Sequence, residues 1–371
     1  MTAAATLREA YAGRRVMITG HTGFKGGWLS LWLHHLGADV TGFSLPPATI
    51  PSLFQVAGVE NVVRSVEGDI RDRAGLDNAW RAAEPEIVFH LAAQSLVRES
   101  YREPLTTLAT NVTGTAHVLD IARERAAPVA LVLVTSDKCY ENREWVHAYR
   151  EDDAMGGHDV YSMSKGAAEL LISSYRRSFF TSGDGADTVS VASARAGNVV
   201  GGGDWAPDRI VPDCIRALEA GDAIGVRNPA AVRPFQHVLE PLSGYLTLGA
   251  RLLSSDPSVR RVASDAWNFG PTQDNTRSVR ELVETVIRFW GAGNWRHAVD
   301  ATAAHEAGVL RLATDKAHAL LQWKTRWGFD ETMDRTVKWY RARTERAAGE
   351  GAIDMAGLCV RQINDYMRVH T

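Results

Sequence analysis

Three polar residues have the types and spacing needed for proton and hydride transfer at a hydroxyl-bearing carbon. Tyr161 and Lys165 are four positions apart, so on a helix they share one face. An ammonium beside a phenol stabilises the phenolate and lowers its pKa, which suits a general base. Ser136, at the end of a predicted strand, supplies a hydroxyl that can hold the substrate oxygen. The Tyr-x-x-x-Lys spacing alone also fits an exposed helix pair, but with Ser136 it indicates a hydroxyl-oxidising enzyme.

A glycine-rich loop near the start of the sequence predicts a phosphate-binding turn. Gly20, Gly23 and Gly26 follow the apolar stretch 15–19 and open a predicted helix over 26–36. A turn of this kind lets backbone N–H groups approach a pyrophosphate at the helix N-terminus. We therefore predict a dinucleotide here; a tight turn that only packs strand against helix is the alternative. The same predicted cofactor loop contains Thr22, Phe24 and Lys25.

The sequence leaves the choice between NAD and NADP open. A carboxylate at the end of the second strand would normally hold the adenosine ribose, but that strand ends at Ser44 without one. Lys25 could instead favour a 2′-phosphate. Asp69 and Ile70 follow the third predicted strand, where an Asp either accepts a hydrogen bond from the adenine amino group or forms an ordinary turn.

Strand-length and helix-length stretches alternate through the first half of the sequence. Several strand stretches are nearly all apolar, which is typical of strands buried on both faces of a parallel sheet. This alternation predicts βαβ units and an α/β fold with a doubly wound parallel sheet of the Rossmann type. The predicted strands cover 15–19, 39–44, 62–67, 87–91, 130–135 and 189–195, and the predicted helices cover 26–36, 73–84, 104–125 and 167–180.

The regular alternation stops after Asn198, and the three glycines at 201–203 predict a flexible break. We therefore predict a dinucleotide-binding domain over 1–200 and a second, smaller α/β domain for the nucleotide sugar over 201–371. A segment around 235–269 is expected to return to the first domain. Its predicted strands lie at 235–238 and 266–269.

The composition of the 371 residues argues against several classes of protein. The sequence is 45% hydrophobic with a net charge of −3, and without a strongly basic face nucleic acid is not an expected partner. No apolar stretch is long enough to cross a bilayer, and the first residues lack a signal-peptide pattern, so we expect a soluble, cytoplasmic protein. The three cysteines are widely spaced and odd in number. They predict neither a disulfide framework nor a metal site.

Together these motifs resemble the extended short-chain dehydrogenase/reductase family, and within it the nucleotide-sugar 4,6-dehydratases. The resemblance covers essentially the whole sequence. It is carried by the segments 19–26, 90–94, 135–140, 195–199, 201–205 and 233–241. The last two segments, with the Ser-Asp-Lys triplet at 136–138, distinguish this subfamily from related nucleotide-sugar enzymes.

The resemblance implies an internal redox cycle on a nucleotide sugar, CDP-glucose, with a tightly held NAD. Tyr161 removes the proton of the hydroxyl on carbon 4 while hydride passes to the nicotinamide. Water is then eliminated across carbons 5 and 6, and the hydride returns to carbon 6. The product is a 4-keto-6-deoxy sugar, so the implied enzyme is a lyase. By their match to the family pattern Asp137 is the expected acid and Lys138 the expected base, although related dehydratases have a Glu in place of Lys138.

The resemblance also implies which residues bind the two ligands. Trp205 is expected to stack on the base or the sugar, and arginines suit a diphosphate because it needs cationic forks. Beyond the glycine loop, the expected cofactor contacts are Asp69, Ile70, Leu91, Ala92, Ala93, Asn111, Thr135, Tyr161 and Lys165. The expected substrate contacts are Gln94, Arg98, Asn198, Arg209, Arg233 and His305.

The resemblance also implies how the protein assembles. In the family, the helices that correspond to those predicted at 104–125 and 167–180 pair with the same helices of a second copy, which implies a homodimer or a tetramer. Alternatively, these helices only cover the sheet.

Two rival functions stay open. A dehydratase or 4-epimerase for another nucleotide sugar is the nearest rival, and a catalytically silent dinucleotide sensor is the rival of a different class. The triplet at 136–138 argues against an epimerase, which needs no acid–base pair for elimination. The complete set of catalytic groups argues against a sensor.

Overall fold

The computed structural model describes residues 3–125, 127–180, 189–298, 310–347 and 354–368. The strands are β1 Arg15–Thr19, β2 Asp39–Ser44, β3 Arg64–Glu67, β4 Ile87–His90, β5 Val129–Val134, β6 Val189–Arg195, β7 Val199–Val200, β8 Ile224–Val226, β9 Val232–Pro234, β10 Gln236–His237, β11 Ala266–Asn268, β12 Thr276–Ser278 and β13 Trp295–His297. The helices are α1 Ala3–Tyr11, α2 Phe24–His35, α3 Leu53–Val56, α4 Arg73–Ala83, α5 Val97–Arg102, α6 Pro104–Leu108, α7 Gly114–Glu124, α8 Val160–Phe179, α9 Ile210–Ala220, α10 Leu239–Leu252, α11 Pro257–Ala263, α12 Val279–Trp290, α13 Phe329–Ala347 and α14 Met355–Arg368. Short 3-10 turns cover Val59–Asn61, Asp137–Cys139 and Gln273–Asn275, and π-helical turns cover Ala109–Thr113 and Ala317–Leu321.

Seven strands form one sheet in the order β11-β6-β5-β4-β1-β2-β3, and every pairing in it is parallel. The six strands predicted in the first half all belong to this sheet, so the Rossmann-type α/β prediction is confirmed. The seventh strand, β11, is the expected return near 266–269. The other expected return strand is the short β10, which pairs with β7 outside the main sheet because β11 already occupies the edge beside β6.

Alternating side chains of the sheet fill two cores, one on each face. In β1, Val16 and Ile18 join a core with apolar residues of α2 and α10, whereas Met17 joins the opposite core with α4, α7 and α8. This alternation follows from the two-residue period of a strand. All four residues of β4 and all seven of β6 are buried, as expected for central strands covered by helices on both faces.

The strand order reverses at β1, which fixes where a ligand can bind. The chain moves outward from β1 through β2 and β3, and then returns to β4 on the other side of β1. In open α/β sheets ligands bind beyond the carboxyl ends of the strands at such a point. Gly20 follows β1 and Leu91 follows β4, so these two turns flank the expected site.

The helices that carry the candidate residues are longer or more interrupted than predicted. α8 runs for 20 residues and begins after Asp159, whose carboxylate accepts a hydrogen bond from Ser162 N at 2.9 Å. The helix predicted over 104–125 is present as α6, a π-helical turn and α7 in succession. The later part of the chain forms the two-stranded pairs β7–β10, β9–β12 and β8–β13. There α13 packs on α12, and α14 packs on α2.

Candidate active site

Close backbone approach explains two of the three glycines after β1. Gly20 has a φ of +79°, and a Cβ there would lie 2.7 Å from Ala92 N. A Cβ on Gly26 would lie 2.1 Å from the carbonyl oxygen of Gly20. Side chains at these positions would push the loop away from the start of α2, so the glycines leave space for a phosphate at the helix N-terminus. Gly23 directly precedes α2 in an extended conformation.

The turn after β4 forms the facing wall of this crevice and is held by a chain of polar groups. Thr19 Oγ1 lies 2.7 Å from Nδ1 of His90 and accepts a hydrogen bond from Ala92 N at 3.3 Å. Nε2 of His90 lies 3.1 Å from Thr115 Oγ1. Burial lowers the pKa of His90 to about 3, so the ring is neutral and holds β1, β4 and α7 together. The predicted cofactor segment 91–93 is thereby fixed opposite the glycine loop.

Lys25 points toward the catalytic groups and not toward the end of β2. Its Nζ donates to the hydroxyl of Tyr245 at 3.0 Å. Burial, with the positive charges of Arg209 and Lys165, lowers the pKa of Lys25 to about 7, and Asp137 acts in the opposite direction. This placement removes the reason for expecting Lys25 to favour a 2′-phosphate.

The residues after β2 and β3 are tied into local hydrogen bonds. Thr22 Oγ1 lies 2.8 Å from Ser44 Oγ. Asp69 accepts a hydrogen bond from Arg71 N at 2.8 Å and pairs with its guanidinium, which lowers the pKa of Asp69. Ile70 beside it is buried. Asp69 therefore stabilises a turn, and its contact with adenine stays a prediction.

Tyr161 and Lys165 lie on the first turns of α8, which begins seven residues before the helix predicted from 167, and both are buried. Burial raises the pKa of Tyr161 to about 12, while a hydrogen bond with Ser136 and the charge of Arg209 act to lower it. Burial also lowers the pKa of Lys165 to about 8, and the negative charge of Glu169 acts to raise it. The expectation that the ammonium brings the phenol pKa down is wrong here, because desolvation outweighs the favourable charges.

Ser136 and Asp137 lie on the turn that follows β5. The strand ends at Val134 and a 3-10 turn covers Asp137–Cys139, so neighbouring side chains need not point to opposite faces. Ser136 Oγ donates to Asp137 Oδ1 at 2.9 Å and accepts from Lys138 N at 3.2 Å. Ser136 and Asp137 are buried and Lys138 is exposed. The geometric condition for Asp137 and Lys138 to act on one substrate, that the strand has already ended, is met.

Gly197 and Asn198 enclose Asp137 from the end of β6. A Cβ on Gly197 would lie 2.0 Å from Asp137 Cγ, so a larger residue there would displace the carboxylate. Asn198, with a φ of +50°, places its Nδ2 3.4 Å from Asp137 Oδ2. Both residues line a narrow crevice with Asp137 and Pro234. Asn198, predicted to bind the diphosphate, thus also contacts the expected acid.

Arg209 brings a permanent positive charge to the same centre. Its Nη1 donates to Asp204 Oδ2 at 2.8 Å and its Nη2 donates to Ser95 Oγ at 3.3 Å. The charge of Asp204 raises the pKa of Arg209. The guanidinium in turn acts to lower the pKa values of Tyr161 and Lys25, although burial raises that of Tyr161 overall. Arg209 is therefore close enough to act on the catalytic groups as well as on a diphosphate.

Gln94 and Asn111 belong to one polar cluster beside α8. Gln94 N donates to Asn111 Oδ1 at 2.9 Å, and Asn111 Nδ2 donates to Ser164 Oγ at 2.9 Å. The side-chain amide of Gln94 donates to Thr107 Oγ1 at 2.9 Å and accepts from Leu96 N at 2.6 Å. These bonds fix the turn after β4 against α8, and ligand contacts of the two amides stay predictions.

The remaining expected substrate contacts differ in their surroundings. Arg98 Nη1 lies 3.2 Å from Asp208 Oδ1 in a half-exposed ion pair. Arg233 in β9 is directly opposite Arg277 in β12 of the antiparallel pair. Residues directly opposite each other in an antiparallel pair project from the same face, and two guanidinium groups on one face suit an anionic ligand. His305 lies outside the described residues.

Trp205 does not have a free face for a ligand. It is 7% exposed and packs edge-on against Trp339 and Tyr340 of α13, with ring centroids 5.6 and 5.7 Å away. The expectation that Trp205 stacks on the base or the sugar is wrong, because α13 already covers it.

Sequence reasoning missed a buried ion pair behind the catalytic turn. Arg195 Nη2 lies 2.8 Å from Glu169 Oε2, and the two side chains are 4% and 3% exposed. Ser193 Oγ donates to the same carboxylate at 2.7 Å, and Arg195 Nη1 donates to Tyr140 OH at 2.6 Å. The ion pair joins α8 to the end of β6.

Thr135 connects this ion pair to the catalytic turn. Its hydroxyl donates to Glu169 Oε1, so the side chain of this expected cofactor contact is directed into the protein. The next residue is Ser136. A sequence signal for Glu169 does exist, since it stands four positions after Lys165 and therefore shares its helix face.

Two further findings on the described residues concern membrane spans and cysteines. In the described ranges no helix is long and apolar enough to span a membrane. Cys139, Cys214 and Cys359 are all buried and unpaired.

Known proteins resemble this chain over most of its length. A family model described as GDP-mannose 4,6 dehydratase matches residues 17–336. The chain is 46% identical over 365 residues to the CDP-glucose 4,6-dehydratase of Salmonella typhimurium, covering 98% of this chain and 99% of that protein. It is 32% identical to a probable UDP-glucuronate 4-epimerase of Rhizobium meliloti, covering 90% of this chain and 98% of that protein. The crystal structure of dTDP-glucose 4,6-dehydratase from Bacillus anthracis in complex with NAD aligns with a TM-score of 0.73 at 18% identity, covering 89% of this chain and 97% of the other.

Proposed function

Since the chain belongs to the family described as GDP-mannose 4,6 dehydratase, we propose that it is a CDP-glucose 4,6-dehydratase. It is a lyase that converts CDP-D-glucose to CDP-4-keto-6-deoxy-D-glucose with loss of water. The observation that carries this proposal is the buried carboxyl group of Asp137, hydrogen-bonded to Ser136 in the same centre as Tyr161. A 4-epimerase expels no hydroxyl group and has no need of such an acid.

The glycine loop fits NAD as the cofactor. The space that a Cβ on Gly20 or Gly26 would fill lies between two turns at the strand-order reversal, next to the N-terminus of α2. The loop 20–26 and the segment 91–93 would hold the dinucleotide. When bound, NAD accepts a hydride from carbon 4 and later delivers it to carbon 6. The placement of Lys25 supports NAD over NADP.

Tyr161 and its neighbours carry out the first proton transfer. In its deprotonated form, the side-chain oxygen of Tyr161 takes the proton of the hydroxyl on carbon 4. The charge of Arg209 and the hydrogen bond with Ser136 both favour negative charge on that oxygen. Lys165 adds a buried ammonium one turn away, which is present below its pKa of about 8. These groups offset part of the cost of burying the phenol.

Asp137 and Lys138 carry out the elimination. A ketone at carbon 4 acidifies the hydrogen on carbon 5, which Lys138 removes, while Asp137 protonates the hydroxyl that leaves carbon 6. The same lysine returns the proton to carbon 5. An Asp137→Asn variant should still oxidise carbon 4 but stall before water loss, so reduced-nicotinamide absorbance should persist. Normal turnover by that variant would contradict the assignment.

Arg209, Arg233 and Asn198 are the proposed anchors of the diphosphate. Arg209 and Asn198 contact the groups around Asp137, and Arg233 faces a second arginine across β9 and β12. Guanidinium forks and amide donors suit phosphate oxygens. In this proposal residues 201–371 contribute the nucleotide-sugar domain, and residues 1–200 the dinucleotide domain.

The proposed assembly is a homodimer formed through α5, α6 and α8. Large apolar side chains are exposed there, with Tyr101 51%, Leu105 79%, Met163 39% and Leu170 62% accessible. Met163 and Leu170 are two helical turns apart and share a face. A second copy of the same surface would cover them. The buried, unpaired cysteines also support a reducing compartment, the cytoplasm.

Sedimentation velocity would test the homodimer. A double Leu105→Glu, Leu170→Glu variant should sediment as a monomer, because two carboxylates would be buried at the interface. Ile50→Glu is the matched control, since Ile50 is 89% exposed on a loop elsewhere and should not change the oligomeric state. A wild-type protein that is monomeric at micromolar concentration would overturn the proposal.

Mass spectrometry of the products would test the function itself. The purified protein is incubated with CDP-glucose, dTDP-glucose, UDP-glucose or GDP-mannose, with and without added NAD. Loss of one water from CDP-glucose alone, without net NADH, is the expected result. Water loss from a different nucleotide sugar would retain the chemistry and overturn the base, and no change in any mass would overturn the dehydratase proposal.

A further inference from the structure

The glycine-rich segment 201–205 contacts the proposed diphosphate site through Asp204. Its aromatic member, Trp205, is covered by α13 and has no free face for a ligand. The carboxylate of Asp204 instead accepts a hydrogen bond from Arg209 Nη1 at 2.8 Å. This pair links the segment to the residues that are proposed to bind the substrate.

Asp204 is held through its backbone and through both carboxylate oxygens. The hydroxyl of Tyr340 in α13 accepts a hydrogen bond from Asp204 N at 3.0 Å and donates to the Asp204 carbonyl at 2.5 Å. Carboxylate Oδ1 accepts from Ala206 N at 3.1 Å, and Oδ2 accepts from Arg209. The side chain is only 6% exposed. One phenol, 136 positions later in the sequence, thus fixes both backbone polar groups of Asp204.

Arg209 lies at a helix end where a positive charge is unfavourable by itself. It is the N-cap residue of α9, next to the positive end of the helix dipole. The acidic residue in the first turn of α9, Asp213, pairs with Arg216. Asp204 therefore supplies the counter-charge of Arg209, and a further anion at this helix end is also favoured.

The contact with Asp204 leaves much of the Arg209 guanidinium for a ligand. A guanidinium has five N–H donors in one plane. Among the described residues, Nη1 donates to Asp204, and Nη2 donates at 3.3 Å to Ser95 Oγ on the turn after β4. Because the group is planar, these two contacts also fix the directions of the other N–H groups. The side chain is 35% exposed, so those donors can be reached.

We propose that Asp204 is a positioning residue that orients Arg209 for the diphosphate of the nucleotide sugar, and that Tyr340 fixes Asp204 for this task. This inference rests on the function proposed above. A mobile arginine loses conformational freedom when it binds an anion, and this loss weakens binding. Since Asp204 already holds the guanidinium in the free protein, the loss occurs during folding and not during binding.

The charge of Asp204 by itself predicts the opposite effect on binding. A carboxylate beside the site repels a diphosphate, so removing its charge would strengthen binding if Coulomb repulsion were the larger effect. In the positioning role, removing the carboxylate weakens binding. It does so only while Arg209 is present, because Asp204 acts through that side chain.

A double-mutant cycle would test this role. The four proteins are the wild type, Asp204→Asn, Arg209→Ala and the double variant. Initial rates of water loss from CDP-glucose give kcat and KM, and calorimetric titration with CDP gives the Kd of the nucleoside diphosphate alone. Glu219→Gln is the matched control, since Glu219 also forms an ion pair between α9 and α13, with Arg343 at 3.1 Å, but lies about 15 Å along the helix from Arg209.

For Asp204→Asn we expect KM for CDP-glucose and Kd for CDP to rise by about 3–10-fold, the scale of ordering one long side chain on binding. The change in kcat should be smaller than the change in KM. In the Arg209→Ala background the same substitution should change KM and Kd by less than about twofold, because the two residues are coupled. Glu219→Gln should leave both constants within about twofold of the wild type.

Tyr340→Phe provides a second test that leaves both members of the pair intact. It keeps the ring in α13 but removes the hydroxyl that holds Asp204. We expect KM for CDP-glucose to rise in the same direction, and this rise should also disappear in the Arg209→Ala background. A wild-type KM in Tyr340→Phe would overturn the role of Tyr340.

Two results would overturn the positioning role of Asp204. The first is an unchanged or lower KM and Kd in Asp204→Asn, which would mean that the carboxylate only repels the diphosphate or has no effect on it. The second is an equal rise in the presence and absence of Arg209, which would limit Asp204 to the folding of its segment. Failure of the wild-type protein to release water from CDP-glucose is a different outcome, which would overturn the proposed function itself.

Discussion

Neutralising Glu169 should destabilise the protein more than any comparable change at the surface. A Glu169→Gln substitution keeps the size of the side chain but leaves the guanidinium of Arg195 buried without its counter-ion. It also turns one of the two acceptor oxygens into a donor, although Thr135, Ser193 and Arg195 all donate to this carboxylate. One of these donors would then face another donor.

The size of the effect follows from the burial of the ion pair. Removing one partner of a buried pair costs about 3–5 kcal/mol of unfolding free energy. Unfolding of 371 residues has an entropy of about 0.8 kcal/mol/K, from ~2.1 cal/mol/K per residue. The melting temperature of Glu169→Gln should therefore fall by about 4–6 °C.

Scanning calorimetry at neutral pH would measure this shift against a matched control. Glu331 pairs with Arg335 at 2.7 Å but is 44% exposed, so Glu331→Gln should cost less than about 0.5 kcal/mol. A loss of less than about 1 kcal/mol for Glu169→Gln would refute the reasoning, because it would mean that Arg195 finds water or another anion in the folded state.

Three further changes test other parts of the site. Gly26→Ala should abolish NAD binding in calorimetric titrations, because its Cβ would lie 2.1 Å from the Gly20 carbonyl oxygen. Lys165 has a pKa of about 8 in the folded protein, below its ordinary 10.5. Between these two pH values the unfolded chain binds more protons at this lysine than the folded protein does. The contribution of Lys165 to the free energy of unfolding therefore rises with pH in this range. Denaturation midpoints of Lys165→Met should lack that rise, and a wild-type slope in the variant would contradict the pKa. Arg233→Ala should raise KM for CDP-glucose far more than it lowers kcat, whereas Arg260→Ala, on the distant α11, should change neither.

The sheet was predictable because its signals are local. Apolar runs such as those of β4 and β5 have the length of a strand and are punctuated by helix-length stretches, which suffices to predict parallel pairing. The glycine loop was predictable from residue type alone. Gly20 has a positive φ, and Gly26 lies so close to the carbonyl of Gly20 that a side chain does not fit. These requirements do not depend on distant parts of the chain.

The directions of several side chains were not predictable, because residues far away in sequence decide them. Lys25 is drawn toward the catalytic centre by Tyr245, 220 positions later. Trp205 is covered by α13, more than a hundred positions away, although its glycine-rich neighbourhood suggests a binding loop. Helical spacing could have pointed to Glu169, but only the packed structure shows that Arg195 and Thr135 meet it.

Burial also explains why the site needs an arginine among its cations. The same desolvation that raises the pKa of Tyr161 to about 12 lowers those of Lys165 and Lys25 to about 8 and about 7. Both lysines therefore approach neutrality near physiological pH, just where the phenol most needs a positive neighbour. Arg209 keeps its charge, because the guanidinium is held by Asp204 and does not titrate in this range. Arg209 thus keeps a positive charge beside Tyr161 where the two lysines approach neutrality, and it is also a proposed anchor of the diphosphate.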